Sequence, residues 1–163
     1  MNFDIREIAR ITGGTLNPAD ASVEITGVST DSRTIQSGEL FVPLRGPNFD
    51  GHEFITQAVR NGAVACLSED VVNGFPVPVV VVKDCLKALG DLAGAVRKQF
   101  DGPVVAVTGS SGKTTTKEML AGILMLTAPG LLTEGNFNNL IGLPLTLFRC
   151  RDEFECMVLE MGM

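Results

Sequence analysis

The run Val104-Val105-Ala106-Val107-Thr108-Gly109-Ser110-Ser111-Gly112-Lys113-Thr114-Thr115-Thr116 constrains this chain more than any other stretch. Four small apolar residues read as a buried strand, and a loop holding two glycines and a lysine leads into a helical segment. Joined this way, the three pieces form an anion site. Glycines let backbone N–H groups close around phosphate oxygens, and the helix N-terminus adds a favourable dipole. The pattern predicts a nucleoside triphosphate site over Thr108, Gly109, Ser110, Ser111, Gly112, Lys113, Thr114 and Thr115, with Lys113 on the terminal phosphates and the Thr114 hydroxyl on Mg²⁺. The loop is shorter than the common P-loop, because Val107 stands where the first glycine of G-x-x-x-x-G-K-[ST] belongs. The alternative is a plain glycine-serine turn, against which the flanking strand and amphipathic segment weigh.

The chain has 163 residues, enough for one ordinary domain or two small ones. Hydrophobic residues make up 45% and charged residues 20%, so it can bury a core rather than remain a disordered tail. Tryptophan and tyrosine are absent, which leaves that core to phenylalanine and the aliphatic residues. A net charge of −6 excludes a general nucleic-acid binder, which needs a basic face to displace counterions. Phosphate affinity must therefore be local. The opening Met1-Asn2-Phe3-Asp4 is polar and lacks the basic region of a signal peptide, and the apolar runs are too short to span a bilayer. Cys66, Cys85, Cys150 and Cys156 form no C-x-x-C pair and have apolar neighbours, which suits reduced, packed thiols in the cytoplasm. His52 stands alone, so no Cys/His or two-histidine zinc site can be built, and capping or a surface position is its expected role.

Element signals give an α/β reading in two parts, residues 1–83 and 84–163. Asp4 is placed to cap a first helix, with Glu7 as capping-box partner and Phe3 and Ile8 as a hydrophobic staple. Asp50, Glu53, Phe49 and Phe54 repeat that signature for a second helix running to Asn61, with Gly62 as C-cap. Strands are expected at Glu24–Val28, Leu40–Leu44, Ala63–Leu67 and Pro78–Val82. Asp84 caps a linker helix to about Phe100. The second part then runs strand, phosphate loop and a helix over Thr114–Leu126 whose Met119, Leu120, Ile123 and Leu124 face the sheet. A Gly/Asn loop over 135–142, a short helix after Pro144 and an apolar strand over Cys156–Met161 follow. A nucleotide-binding α/β domain needs further strands and helices to cover both sheet faces, so this part reads as incomplete and the chain as the N-terminal piece of something longer.

Glu160 closes that last strand. Strand C-terminal ends line the ligand crevice of parallel sheets, and a carboxylate there can reach Mg²⁺, which binds through one or two carboxylates plus phosphates. A solvated strand end is the alternative. Asn136, Asn138 and Asn139 crowd a glycine-bounded loop, and two roles stay open: a structural turn or amides that orient a polar substrate. Ser29, Asp31, Ser32 and Arg33 offer hydroxyls and a guanidinium at a strand end. Arg33 can grip a diphosphate or carboxylate with a bidentate fork, although a loop arginine is more often simply solvated.

Thr108–Thr114 joined to Lys117-Glu118-Met119, then Gly135-Asn136-Phe137-Asn138-Asn139-Leu140-Ile141-Gly142-Leu143-Pro144, then Leu159-Glu160-Met161-Gly162, resembles the Mur ligase family. Asp31-Ser32-Arg33, Gly38–Gly46 and Asp50-Gly51-His52 are similar to that family's N-terminal domain. Within the family, the G-N-x-N-N-x-I-G-x-P and S-S-G-K-T-x-x-K-E-M forms look like those of the member that adds D-alanyl-D-alanine to a UDP-N-acetylmuramoyl tripeptide. The member adding the third peptide residue is the neighbouring alternative, and a non-catalytic nucleotide-binding module the alternative from another class.

The resemblance implies cytoplasmic peptidoglycan precursor synthesis, in which ATP converts the substrate's terminal carboxylate to an acyl phosphate and an incoming amine displaces phosphate. It implies a small UDP-sugar-binding α/β domain followed by the start of a P-loop α/β ATPase domain. Carried over residue by residue, Gly109–Thr114 hold the ATP phosphates and Lys113 neutralises the transferring phosphoryl group. Thr114 and Glu160 bind Mg²⁺, Ser29–Arg33 lie on the UDP side, and Asn136, Asn138 and Asn139 sit between nucleotide and substrate. The family also uses a histidine and a lysine beyond the Glu160 position, together with a C-terminal domain. This polypeptide alone is therefore expected not to ligate.

Overall fold

A computed structural model describes residues 2–71 and 74–162. The chain divides into two compact units, residues 1–92 and 93–163, and the division falls inside the helix that the sequence assigns to the second part.

In the first unit, β1 (Phe3–Asp4) leads into α1 (Ile5–Thr12). Asp4 caps that helix by accepting from the Arg6 N–H at 2.8 Å, while Glu7 pairs with Arg10 at 3.7 Å. Ile5 and Ile8 are fully buried, and Gly13 ends the helix. β2 (Thr15–Asn17) follows. The stretch expected as one strand over Glu24–Val28 is two. β3 (Glu24–Ile25) pairs antiparallel with β1, whereas β4 (Gly27–Ser29) pairs parallel with β5 (Glu39–Phe41). Thr26 lies at the switch, where its N–H donates to the Gly38 carbonyl at 2.9 Å.

β6 (Arg45–Gly46) and β7 (Phe49–Asp50) form a small antiparallel ladder, followed by a 3-10 turn (Gly51–Phe54) and α2 (Ile55–Asn61). Asp50 caps the turn through the His52 N–H at 2.9 Å, and the expected staple pair, Phe49 and Phe54, stack at 5.4 Å. His52 is half-buried, its side chain 10% exposed: it bonds Asp50 Oδ1 through Nδ1 at 2.6 Å and accepts the Glu69 N–H at Nε2 at 3.1 Å. With Nε2 receiving the Glu69 N–H, Nδ1 is the ring nitrogen that donates to Asp50.

β8 (Ala65–Ser68) and β9 (Val79–Val81) complete a sheet ordered β2-β9-β8-β5-β4, parallel throughout except for the edge strand β2. Every residue of β8 is buried, as expected of a strand covered on both faces. α3 (Cys85–Gln99) is capped as expected, with the Lys87 N–H on Asp84 Oδ1 at 2.8 Å. Burial pushes the Cys66 and Cys85 thiols up to about 12, so both pack as inert apolar groups.

The second unit holds β10 (Val104–Val107), α4 (Lys113–Leu124), β11 (Gly130–Leu132), α5 (Gly142–Leu147) and β12 (Cys156–Glu160). Its sheet is parallel, ordered β10-β12-β11. Three residues beside Pro129 gave no strand signal, so β11 was not expected. The expected face of α4 is corrected in part: Leu120 and Leu124 are half-buried on the packed side, three residues after Lys117 and Ala121, whereas Met119 and Ile123 are not. Lys117 and Ala121 are its buried residues, while Met119 and Ile123 are 65% and 64% exposed. Two positions along a helix correspond to about 200° of rotation, so a register fixed on Met119 points away from the one set by Lys117. The buried stripe carries a lysine, a residue type almost never fully buried unless paired.

Among the described residues no helix is long and apolar enough to cross a membrane. Leu40 is fully buried on β5, paired with β4 on one side and β8 on the other. Leu40→Ala is expected to lower the unfolding free energy of the protein by about 2–5 kcal/mol in urea denaturation, and a loss well under 1 kcal/mol would contradict this packing.

Candidate functional site

The loop between β10 and α4 turns at two glycines. Gly109 has φ +148° and Gly112 φ +73°, backbone angles that residues with a Cβ rarely adopt. A Cβ on Gly112 would meet no atom within 4 Å, so the turn itself, not crowding, asks for glycine. Gly112 occupies the N-cap position of α4 and supplies no side-chain cap. The opening N–H groups of that helix are thus left without a side-chain oxygen, the condition under which a helix start attracts anions. Lys113 folds back over the loop, its Nζ donating to the Gly109 carbonyl at 2.8 Å.

Parallel pairing of β10 with β12 sets Val107 opposite Glu160, so the carboxylate stands at the strand ends beside this loop. Thr114 Oγ1 donates to Glu160 Oε2 at 2.9 Å and Asn138 Nδ2 to Oε1 at 2.8 Å. Glu160 is only 1% exposed, and its own N–H donates to Thr133 Oγ1 at 3.0 Å. The Asn138 amide draws the Glu160 carboxyl below the usual carboxylate value; burial opposes this, and Thr114 and the Lys117 and Lys113 charges reinforce it. Lys117 is fully buried, donating from Nζ to the Thr133 carbonyl at 2.7 Å, 3.0 Å from Glu118 Oε1 and 3.9 Å from Glu160 Oε2.

The donor set fits Mg²⁺. A Thr114 oxygen that donates its proton to Glu160 keeps lone pairs for a cation, and Glu160 supplies a hard, ionised oxygen. Among the described residues no group of three or more His, Cys, Asp or Glu could hold a metal by itself. A cation here would complete its shell with water and with oxygens of a phosphate ligand, as Mg²⁺ usually does.

The first unit carries a cleft of about 410 Å³. Thr30, Asp31, Ser32 and Arg33 form one side, and Phe41, Gln57 and the Phe49–Phe54 stack form the rest. Ser32 is buried and donates to Gln57 Oε1 at 3.2 Å. The Arg33 fork closes on Asp31, Nε to Oδ1 at 2.9 Å and a terminal nitrogen to Oδ2 at 2.7 Å. That pairing, with the Arg33 N–H, holds the Asp31 carboxyl down at about 2.

Residues 107–163 match the family model described as the Mur ligase middle domain, and residues 24–97 match that of the Mur ligase family catalytic domain. The chain belongs to the Mur ligase family. It is 45% identical over 147 residues to the UDP-N-acetylmuramoyl-tripeptide–D-alanyl-D-alanine ligase of Haemophilus influenzae, covering 88% of this chain and 32% of that protein. A MurF crystal structure from Acinetobacter baumannii superimposes with a TM-score of 0.93 at 39% identity, over 100% of this chain and 36% of the other. The Thermotoga maritima MurF ligase, solved with ADP, gives 0.74 at 40% identity, over 83% of this chain and 31% of that one. The chain spans about a third of the length of the curated relatives it matches.

In this Mur ligase chain Lys113, Thr114, Glu160 and Asn138 converge. Thr108, Ser110, Ser111 and Thr115 are exposed along the loop and helix start. Asn139 uses its side chain on the Ile141 and Gly142 N–H groups at 3.0 and 2.7 Å, and Asn136 accepts the Asn138 N–H at its carbonyl. Asp31, Ser32 and Arg33 line the cleft, while Ser29 braces their loop through the Asp31 N–H at 3.2 Å. Sequence reasoning passed over Thr133, Gln57 and the part played by Lys117. Only Lys117 left a signal, standing one turn after Lys113 on the same helical line.

The Asp31 carboxyl, low in the fold and 3.8 when unfolded, stabilises the protein above that value and loses this as pH falls toward 2. Asp31→Asn is expected to flatten the acid limb of a stability–pH curve between those values. An unchanged limb would show that the exposed Arg33 clasp does not persist in solution.

Proposed function

We propose that the full-length protein is an ATP-dependent ligase that joins D-alanyl-D-alanine to a UDP-N-acetylmuramoyl tripeptide in the cytoplasm, and that this chain supplies its nucleotide loop and its UDP side. The observation that carries the reading is the contact of Thr114 with Glu160 beside the Gly109–Gly112 turn. An open loop, a lysine and an ionised carboxylate in one place are what positioning a triphosphate requires. The printed names of the relatives supply the substrates, and ADP in the Thermotoga maritima protein supports the nucleotide.

Each residue then has a task. The loop amides hold phosphate oxygens, and Lys113 turns from the Gly109 carbonyl to the transferring phosphoryl group. Thr114 and Glu160 would hold Mg²⁺, which when bound neutralises charge on the phosphates as the γ-phosphoryl passes to the tripeptide carboxylate. Asn138 keeps Glu160 ionised and aimed. In the first unit, the flat Phe49–Phe54 stack gives a planar base such as uracil a face, and Ser32 and Gln57 offer it polar edges. Arg33 serves the UDP side as a neutralised clasp rather than a free cation, since Asp31 occupies its fork.

The test is phosphate release by the full-length protein. Turnover is expected only when ATP, UDP-N-acetylmuramoyl tripeptide and D-alanyl-D-alanine are all present, and Lys113→Ala is expected to cut kcat at least about a hundredfold. Turnover with a single amino acid on a UDP-muramoyl dipeptide would move the assignment to the preceding ligase. Undiminished turnover in Lys113→Ala would remove the loop from the reaction.

A further inference from the structure

Among the described residues, Lys117 is the fully buried charged side chain beside the site that the proposed reaction does not use. An ammonium taken out of water must be compensated on the spot. Its nearest carboxylate, Glu118, is 58% exposed and screened by solvent, whereas Glu160 is 2% exposed at the side chain and faces it across 3.9 Å. Within the protein interior, then, the Lys117 charge largely cancels that of Glu160. Oε2 is at once the oxygen nearest Lys117 and the one bonded by Thr114.

We propose that Lys117 is a positioning residue that couples cation binding at Thr114 and Glu160 to the presence of nucleotide phosphates. The proposal rests on reading those two residues as a cation site. A bare divalent ion approaching Oε2 meets one carboxylate and, close behind it, an ammonium that cannot move away, because the Thr133 carbonyl holds it at 2.7 Å. Attraction and repulsion are of similar reach, and both are strong in a poorly solvated setting. Phosphates on the loop add the negative charge that tips the balance, so ion and nucleotide fill the site together. A lysine that served only to strut α4 against Thr133 would need the carbonyl bond but not the charge.

The two roles separate when charge and hydrogen bond are varied independently in the full-length protein, with Mn²⁺ as the probe and its free concentration followed by electron paramagnetic resonance. Binding that disappears in Glu160→Gln is assigned to this site. The wild-type protein is expected to bind Mn²⁺ there at least about tenfold more tightly with a non-hydrolysable ATP analogue than without it. Lys117→Gln, which keeps a donor for Thr133, is expected to tighten nucleotide-free binding by about tenfold or more, while Lys117→Arg keeps the wild-type contrast.

Wild-type binding that is equally tight with and without the analogue overturns the inference and needs no variant to be stable. So does a folded Lys117→Gln protein whose nucleotide-free affinity is unchanged. Absence of any Glu160-dependent Mn²⁺ binding even with the analogue overturns the cation-site reading itself, and the inference falls with it.

Discussion

The register of β10 against β12 is what the site depends on. Side chains alternate across a strand, so a slip of one residue would turn Glu160 to the opposite face and separate it from Thr114. With Val107 opposite Glu160, a strand, a loop and a helix start bring four polar side chains to one place without any of them leaving its element. Thr133 secures the arrangement from the far side, since its hydroxyl receives the Glu160 N–H and its carbonyl receives Lys117. The carboxylate is thus aimed by backbone as well as by side chains. Sites on such rigid supports hold their geometry better than sites built on loops alone.

Much of this was legible because the signals were local. A cap such as Asp4 or Asp84 acts within three residues, and a glycine loop before a lysine is read in one glance along the chain. What escaped was decided by partners distant in sequence. The stretch Glu24–Val28 looks like one strand because all of it is extended; only the competing pull of β1 and β5 divides it at Thr26. Met119 and Ile123 were misassigned to the packed face of α4 for the same reason. Methionine and isoleucine ordinarily seek the interior, and a lysine displaces them only where a carbonyl just past β11 and a carboxylate at the end of β12 await it. The three asparagines could not be separated from sequence, since a turn and a ligand-orienting loop ask for the same residue; the structure gives Asn139 to the α5 entry and Asn138 to Glu160.

The solitary histidine shows the same logic in the first unit. Nothing along the chain marks His52 as more than a capping or surface residue, yet it joins Asp50 to the Glu69 backbone through its two ring nitrogens. Glu69 in turn receives the Cys85 N–H at 2.9 Å and Arg45 at 2.8 Å, and Arg45 also reaches Asp50 and Asp70. The β6–β7 ladder, the end of β8 and the start of α3 are tied through one set of charges.

A chain with net charge −6 that is to hold a triphosphate, as proposed, must keep its own carboxylates from opposing the ligand. It does so by pairing them locally. Asp31 is closed by Arg33 and Asp50 by His52 and Arg45, both carboxyls drawn to about 2, while Glu160 is flanked by two lysines and two neutral donors. Surface charge beyond a Debye length is screened at physiological salt, so the overall acidity has little reach into the loop. What an approaching phosphate meets is the near field: open amides, Lys113, and a carboxylate whose charge is already shared. The balance between Lys117 and Glu160 then matters more than any count of acidic and basic residues, because those two charges are the ones water does not screen.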